Sequence, residues 1–552
     1  MKMKPALYFK TLRHLKLCQL CGQFRVKLLP QRTPGEGWKN AKRRIDPSVN
    51  ISVSALDTNG EYLSRFALEK VPEGVLRLIN ADQMLEKGVW QYPKRSHLWN
   101  FNLHYFEYAA AMAGQYRLDG DRKWAGLFQR LYESWLENPT EDAFHPYTIS
   151  LRLKNLLIAG RLFGDALSDS FREKLYGTLY SQYRYLERHA ETALLGNHYF
   201  ENICSVIIGS AFFSEPHILR KWENRLENQL AEQILPDGFH CERSPMYHKL
   251  MLESLIRAVQ ALRTAGYEEW RRFLSAIQKM LNAAVSMEQG ADRTPLFNDS
   301  GDNVAKPLKA LVSACDSLFC IRAEICDALP DAGYYFLKEN NIFAVCDAGE
   351  MAPGYLMGHG HCDCLSFELF VNGAPVLVNC GTGLYQGAQR DFFRSTAAHN
   401  TFTVSGEEQA ECWGEHRVAG RLSDVHAQYG KNILSASFRG YKKTLYTREI
   451  RLEGSILTVS EQTDAAVGTM IESFLHIAPE FQLAERNDGC FNITENGSLR
   501  AVIEPTGAEV SVSDASYAPG FGEYSICTQL RFAWSEDRKR HGYKVTINTE
   551  EN

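Results

Sequence analysis

The feature that most constrains this chain is a change of hydrophobic period partway along it. From about residue 100 to 290 the apolar residues recur every three or four positions. Phe171, Leu175, Leu179, Tyr183 and Leu186 form one such row. Trp222, Leu226, Leu230 and Ile234 form a second, and Trp270, Phe273, Ile277 and Leu281 a third. Each row is the single apolar stripe of a helix. Many such helices must pack on one another, yet no fixed short repeat marks a TPR or HEAT array. After about residue 340 the period becomes two. Phe367, Leu369 and Val371 alternate, and Asn372-Gly373 then turns the chain into Val376 and Val378, a hairpin signal. Segments 401–404, 456–459, 510–512 and 543–547 continue the alternation. The expected architecture is therefore multidomain, α then β: a helical domain followed by an antiparallel sandwich. We divide the chain into a basic arm (1–50), a helical domain (51–335) and a β domain (336–552).

Composition narrows the function. Apolar residues make up 45% of the 552 and charged residues 23%, which excludes disordered and collagen-like chains. No apolar run reaches the ~18 residues of a membrane span. The net charge is -5, but residues 1–50 carry twelve Lys/Arg against Glu36 and Asp46, leaving the remainder at -15. An acidic body is not a nucleic-acid binder; its basic arm suits an anionic membrane surface or an acidic face of its own fold. Leu7, Leu12, Leu15, Leu17 and Leu20 among those basic residues fit a shallow interfacial helix. The first residues lack the apolar region and cleavage site of a secretory signal. The expected address is the cytoplasm, with peripheral contact at the inner membrane face. Fourteen cysteines then read as mostly free thiols. Cys18/Cys21 and Cys362/Cys364 are weak metal signals, better read as buried, inert thiols.

Four segments hold more His, Asn, Tyr and acid than a core needs. Asn197-His198-Tyr199-Phe200-Glu201-Asn202 precedes an apolar helix, so Asn197 reads as a cap or as a pocket residue. The loop 236–248 runs into a helix near Pro245 and puts Tyr247 and His248 in its first turn. In Gly358-His359-Gly360-His361-Cys362-Asp363-Cys364, the two His and the acid would share one face of a strand, a metal or catalytic pattern. His399 opens a strand and Asn379 ends another, so His361, Asn379 and His399 can converge as a metal site.

Taken together, GHGHCDCLSFELFVNGAPVLVNCGTGLY, RSTAAHNTF, NHYFEN, DGFHCERSPMYH and LFNDSGD resemble the heparinase II/III family of polysaccharide lyases and their alginate-lyase relatives. WNFNLHYFEY and SLRLKN resemble bacterial members encoded with surface-polysaccharide genes. The resemblance spans roughly 90 to 425. It implies an incomplete (α/α) toroid followed by an antiparallel β-sandwich, with the cleft between them. The implied reaction is β-elimination at a 4-linked uronic acid in a capsule or exopolysaccharide. Removing the C5 proton builds enolate charge on the C6 carboxylate, so donors aimed at it lower the barrier, by roughly 3–4 kcal/mol each. The resemblance gives that role to Asn197 and His198, with His359 contributing. It makes Tyr247 the acid/base, with His359 as the alternative base; as a base Tyr247 needs nearby positive charge to form its phenolate, from Arg243 or a protonated His. It aligns His361, Asn379 and His399 with a structural zinc site, where Asn379 replaces the usual Asp and Asp363 can compensate. Trp99, Tyr105 and Trp413 are candidates to stack on sugars or pack in the core. Arg152 and Arg394 are candidates to pair with substrate carboxylates or internal acids.

Two other readings compete. One is a non-catalytic polysaccharide-handling factor in exopolysaccharide assembly. The other is a toroidal hydrolase using two of Asp237, Glu242 and Asp299.

Overall fold

The computed structural model describes residues 5–28, 43–537 and 539–548. The arm comprises α1 (Pro5–Leu12) and α2 (Leu17–Leu28), and two short helices follow, α3 (Ser54–Asp57) and α4 (Gly60–Ser64). The helical domain continues through α5 (His97–Tyr105), α6 (Glu107–Asp119), α7 (Lys123–Glu137), α8 (Pro146–Phe163) and α9 (Asp169–His189). It closes with α10 (Gly196–Phe212), α11 (Pro216–Gln233), α12 (Pro245–Thr264), α13 (Leu274–Met287) and α14 (Leu308–Phe319). Neighbours alternate in character. α6, α8, α10 and α12 pack side by side, and α7, α9, α11 and α13 pack outside them. The inner helices are buried nearly all round; α10 is buried from Gly196 to Ala211 except at His198. The outer helices bury one stripe, as Phe171, Leu175, Leu179, Tyr183 and Leu186 do on α9. A ring of fully buried helices inside one-faced helices is the toroid.

One helical row behaves differently. Trp270 and Phe273 lie on a 3₁₀ segment (Glu268–Phe273), and α13 begins only at Leu274. Three-residue spacing eclipses side chains in that tighter turn, so the pair keeps its common face. A hairpin of Val75–Leu78 and Ala81–Met84 also interrupts the helical half. Its turn residue Asn80 donates from Nδ2 to Phe521 O, tying the toroid to the other domain.

The β domain holds two large antiparallel sheets and a small ribbon of Cys412–Trp413 with Arg417–Val418. One runs Ser423–Gly430, Ile433–Arg439, Leu445–Glu453, Ile456–Thr463, His541–Ile547, Ser498–Thr506, Phe491–Glu495 and Gln482–Glu485 in spatial order. The other runs Glu509–Tyr517, Ser525–Ser535, Met470–Ile477, Ala374–Leu377, Phe367–Val371, Ile342–Asp347, Tyr334–Glu339 and Ala328–Leu329, with Phe402–Val404 beside Met470–Ile477. A single apolar cluster draws Leu337, Phe367 and Leu475 from the second sheet and Phe438, Ile450 and Val545 from the first, so the two form a sandwich. The Asn372-Gly373 turn has φ of 52° and 86° at its two residues and pairs Val371 with Ala374, as a two-residue hairpin requires.

The expected strand at 358–364 does not form. Residues 358–366 are irregular, because their backbone groups bind loops of both domains instead of a neighbouring strand. The arm lies on its own fold. Lys10 pairs with Glu411 at 2.9 Å, Lys16 with Glu232 at 2.7 Å, and Gln19 donates to Tyr355 O at 3.2 Å. Lys2, Lys4, Arg32, Lys39 and Lys42 lie outside the described residues. Cys18 and Cys21 are exposed, contrary to expectation, whereas Cys362 and Cys364 are buried. No helix among the described residues is long and apolar enough to cross a membrane.

Candidate active site

The site is organised by the loop at 298–300, which runs between the two domains. Asn298 has φ of 54°, a left-handed conformation that Asn tolerates better than most residues. Its Nδ2 donates to Arg243 O and its Oδ1 accepts from the His361 amide, both at 2.9 Å. Its own amide donates to Asp363 Oδ2 at 2.8 Å. Asp363 is thereby committed to the backbone and does not complete a metal cage.

Asp299, fully buried, is the electrostatic centre. Arg390 grips both of its oxygens, with Nη2 at 2.7 Å from Oδ2. His359 Nδ1 lies 2.8 Å from Oδ2 and His361 Nε2 lies 2.8 Å from Oδ1. Burial works to raise the Asp299 carboxyl, but Arg390 and the two imidazoles hold it well below the usual carboxylate range.

Tyr247 sits in the first turn of α12. The N-cap Ser244 accepts from the Tyr247 amide and donates to Asp299 O at 2.7 Å, so helix start and Asp299 loop share one hydroxyl. The Tyr247 ring lies tilted 4.1 Å from that of His359, and its hydroxyl lies 2.7 Å from the Tyr385 hydroxyl. Burial, then Tyr385, Asp299 and Glu242, push the phenol well above its ordinary pKa. The expected help from Arg243 is absent. Its guanidinium donates to Ala332 O and Asp331 O and faces Glu350, because the left-handed turn at Arg243 directs it to the 331–332 loop.

Glu242 links the remaining groups. Its Oε1 accepts the Asn197 amide at 2.6 Å and its Oε2 lies 3.3 Å from His359 Nε2. Gly196 makes this approach possible: φ is +56°, and a Cβ would lie 2.4 Å from Glu242 Oε1. Asn197 is not a cap, since α10 begins at Gly196 with no side-chain cap. Among the described residues no hydrogen bond is made by the Asn197 side-chain amide. His198 is the half-exposed exception on α10. Its Nδ1 lies 3.1 Å from Glu191 Oε1 and its ring 4.4 Å from Tyr147. Burial lowers its pKa, but Glu191 outweighs burial and the net shift is upward.

Several expected sugar contacts are elsewhere. Trp99 is buried, with Nε1 donating to Ala81 O at 3.1 Å. Arg152 is fully buried and bonds Gln182 Oε1, His104 O and Ala143 O; it meets neither substrate nor acid because it closes orphan carbonyls of neighbouring segments. Arg394 likewise binds Gly360 O, Gly414 O and Glu415 O. Trp413 packs on Tyr8 of the arm. Tyr105 stays half-buried, 6.1 Å from Tyr147.

His361 and His399 fit a metal ion. His361 Nε2 is directed to Asp299 and His399 Nδ1 to Ser395 O at 2.8 Å. Burial first, offset in part by those partners, lowers the rings to about 3 and about 4, so both are neutral. Each then turns a lone pair, His361 Nδ1 and His399 Nε2, toward the other at 3.3 Å. Two nitrogens about 2.0–2.1 Å from a tetrahedral zinc would lie roughly that far apart, and outer partners of this kind orient metal ligands. Asn379 Oδ1 accepts the Asn400 amide at 3.1 Å, and its buried Nδ2 has no partner. Among the described residues no three His, Cys, Asp or Glu form a metal cage.

Sequence reasoning did not single out Tyr147, Glu191, Tyr385 or His416 for the site. His416 lies 5.9 Å from Tyr385 and is lowered to about 4 by burial. Arg390 was visible only as part of a motif, and Glu242 and Asp299 only as hydrolase candidates. Both carboxylates flank the His359 ring, which fills the space a glycosidic bond would need between them.

Comparison with known proteins agrees with this architecture. Residues 72–326 match the family described as heparinase II/III N-terminus, and residues 322–546 match heparinase II/III-like, C-terminal. Heparin-sulfate lyase of Pedobacter heparinus is 24% identical over 360 residues, 58% of this chain and 54% of that protein. Heparin-sulfate lyase of Bacteroides stercoris is 24% identical over 375 residues, 58% of this chain and 56% of that one. The chain thus spans little more than half the length of these relatives. The crystal structure of heparinase III superposes with a TM-score of 0.71 at 15% identity, covering 99% of this chain and 92% of that one. Heparan sulfate lyase HepC of Pedobacter heparinus gives 0.57 at 16% identity, covering 97% and 88%. The chain belongs to the heparinase II/III family.

Proposed function

We propose that this heparinase II/III family member is a polysaccharide lyase that cleaves a uronic-acid-containing polymer of the glycosaminoglycan class by β-elimination. The observation that carries the reading is the position of Glu242, with one oxygen on the Asn197 amide and the other beside His359. It brings the carboxylate-binding groups and the proton-transfer groups to one place. The side-chain amide of Asn197, distinct from the backbone amide held by Glu242, and the His198 imidazole would bind the C6 carboxylate and take up the developing enolate charge. Asp299 accepts from His359 Nδ1, which leaves Nε2 as the nitrogen that removes the C5 proton; Glu242 then stabilises the imidazolium. Tyr247, whose surroundings keep its proton on, donates it to the departing O4.

The test is ultraviolet absorbance of the C4–C5 double bond during incubation with heparan sulfate, hyaluronan and alginate. Wild type is expected to produce the signal on at least one, and Tyr247→Phe to lose roughly 10²–10⁴-fold of the rate. A flat wild-type trace on all three overturns the reading. New reducing ends without absorbance would indicate hydrolysis.

His361 and His399 would hold a structural zinc ion, with the Asn379 oxygen as a third donor. Bound there, the ion would fix the loop that carries His359. The likeness of WNFNLHYFEY and SLRLKN to surface-polysaccharide members supports a substrate made by the producing cell. Phe9, Leu12, Leu17 and Phe24 are exposed on α1 and α2 beside Arg13, which supports peripheral contact of the arm with an anionic membrane. Liposome flotation with and without residues 1–30 tests it: equal flotation removes the contact.

A further inference from the structure

A row of rings leads away from the site along α5. His97, Phe101 and Tyr105 recur every four residues on the face opposite the buried Trp99, Asn100, Leu103 and His104. Eight residues of helix make this row about 12 Å long. Two sets of contacts line it, and the inner set reaches the site. His97 meets Phe101 at a tilt, 4.3 Å between ring centres, and Phe101 meets His145 edge-on at 5.2 Å. Tyr105 meets Tyr147 at 6.1 Å, and Tyr147 lies over His198 at 4.4 Å. All these rings are half-buried except His97, which is exposed.

We propose that this row, with Phe101 at its centre, is a sugar-binding lane that holds the acidic polymer on one side of the bond being cleaved. The proposal rests on the lyase reading and gives that site its reach along the polymer. Pyranose rings present an apolar C–H face that packs on aromatic rings, while their hydroxyls and carboxylates need donors at the edges. The lane has both. Phe101 and the tyrosines offer faces, and the two imidazoles flank Phe101. Asp142 orients His97, with Oδ1 3.2 Å from its Nε2, and lies 3.9 Å from His145 Nε2; its other oxygen accepts from Gln91 Nε2 at 2.9 Å. Lys94 precedes the row, exposed and without an ion pair among the described residues, where a polymer carboxylate or sulfate would arrive. A core purpose does not explain the row, since the packing of α5 is carried by its other face.

The experiment compares Phe101→Ala and Phe101→Trp with wild type, using heparan sulfate, hyaluronan and alginate as polymers and short oligosaccharides of each. Cleavage is read as kcat/KM against chain length, and binding is read in a Tyr247→Phe background. The lane predicts that Phe101→Ala lowers the long-to-short kcat/KM ratio and weakens polymer binding, each by about tenfold, and that Phe101→Trp restores both. Equal losses on long and short substrates, or no loss on either, overturn the lane and leave the lyase reading standing. Polymer binding that depends on Phe101, without cleavage by wild type, overturns the lyase reading and leaves the lane. Absence of binding to all three polymers overturns both.

Discussion

Burial works to lower the His198 pKa, but Glu191 foremost, with Glu242 behind it, raises it. A raised folded-state pKa means that the imidazolium is present below that pKa and is lost as pH rises through it. If the charged ring neutralises the substrate carboxylate, kcat/KM falls on the alkaline side as His198 deprotonates. Glu191→Gln leaves burial unopposed by that carboxylate and is expected to move the alkaline limb to lower pH. An unmoved limb would take His198 out of carboxylate binding. Asp299 makes a different prediction. Asp299→Asn leaves Arg390 buried without its partner, and denaturant unfolding is expected to show a loss of about 3–5 kcal/mol. The contrast explains what was legible in the sequence. His359 and His361 stood out because glycines and a short spacing set them apart. The role of Asp299 did not, because a carboxylate's chemistry depends on partners brought from residues 359, 361 and 390, and no local pattern announces them.

At the scale of elements, α12 does the most for the site, through its first turn. Ser244 caps it and bonds the loop carrying Asp299. Ser244→Ala is expected to cost about 1 kcal/mol as a lost cap, read in denaturant unfolding. It should lower kcat further than Tm suggests, because Tyr247 loses the bond that fixes its backbone. If kcat holds while stability drops, the cap serves the fold alone. The helix itself was readable from Pro245 and the apolar period that follows. The switch from helical to alternating period likewise placed the toroid before the sandwich. The segment 358–366 was not readable, because alternation there reflects three side chains with partners from distant segments instead of a neighbouring strand: Glu242 and Asp299 for His359, Asp299 and His399 for His361, and the Asn298 amide for Asp363. The outer surface of α5 was read as sugar contact or core through Trp99 and Tyr105. Period alone cannot say which face of a short helix turns inward, and the core took Trp99.

At the scale of the molecule, the site exists only where toroid and sandwich meet, so their joint is part of the chemistry. Tyr247, Asn197, His198 and Glu242 come from the toroid, and His359, Tyr385 and Arg390 from the β domain. One side chain pins the two: Asn298 donates to Arg243 O on the toroid side and accepts from the His361 amide on the other. Asn298→Ala removes both bonds and leaves the His361 amide buried without a partner, at about 1–3 kcal/mol, while Arg243 O keeps the Tyr334 hydroxyl at 2.6 Å. It also puts Ala at φ of 54°, which adds strain. The main core of each domain is drawn from the helices or from the paired sheets, and an apolar cluster of Phe239, Met287 and Phe297 with Phe343, Val345 and Phe370 spans the joint between them, so neither should unravel on its own account. Scanning calorimetry is therefore expected to show the wild-type domains melting together. In Asn298→Ala the transition should broaden or split, with the lyase signal falling by tenfold or more while both domains stay folded at assay temperature. A variant that melts as one lower transition would show that the joint is held mainly by the other contacts across it, such as Asn80 to Phe521 and Tyr247 to Tyr385.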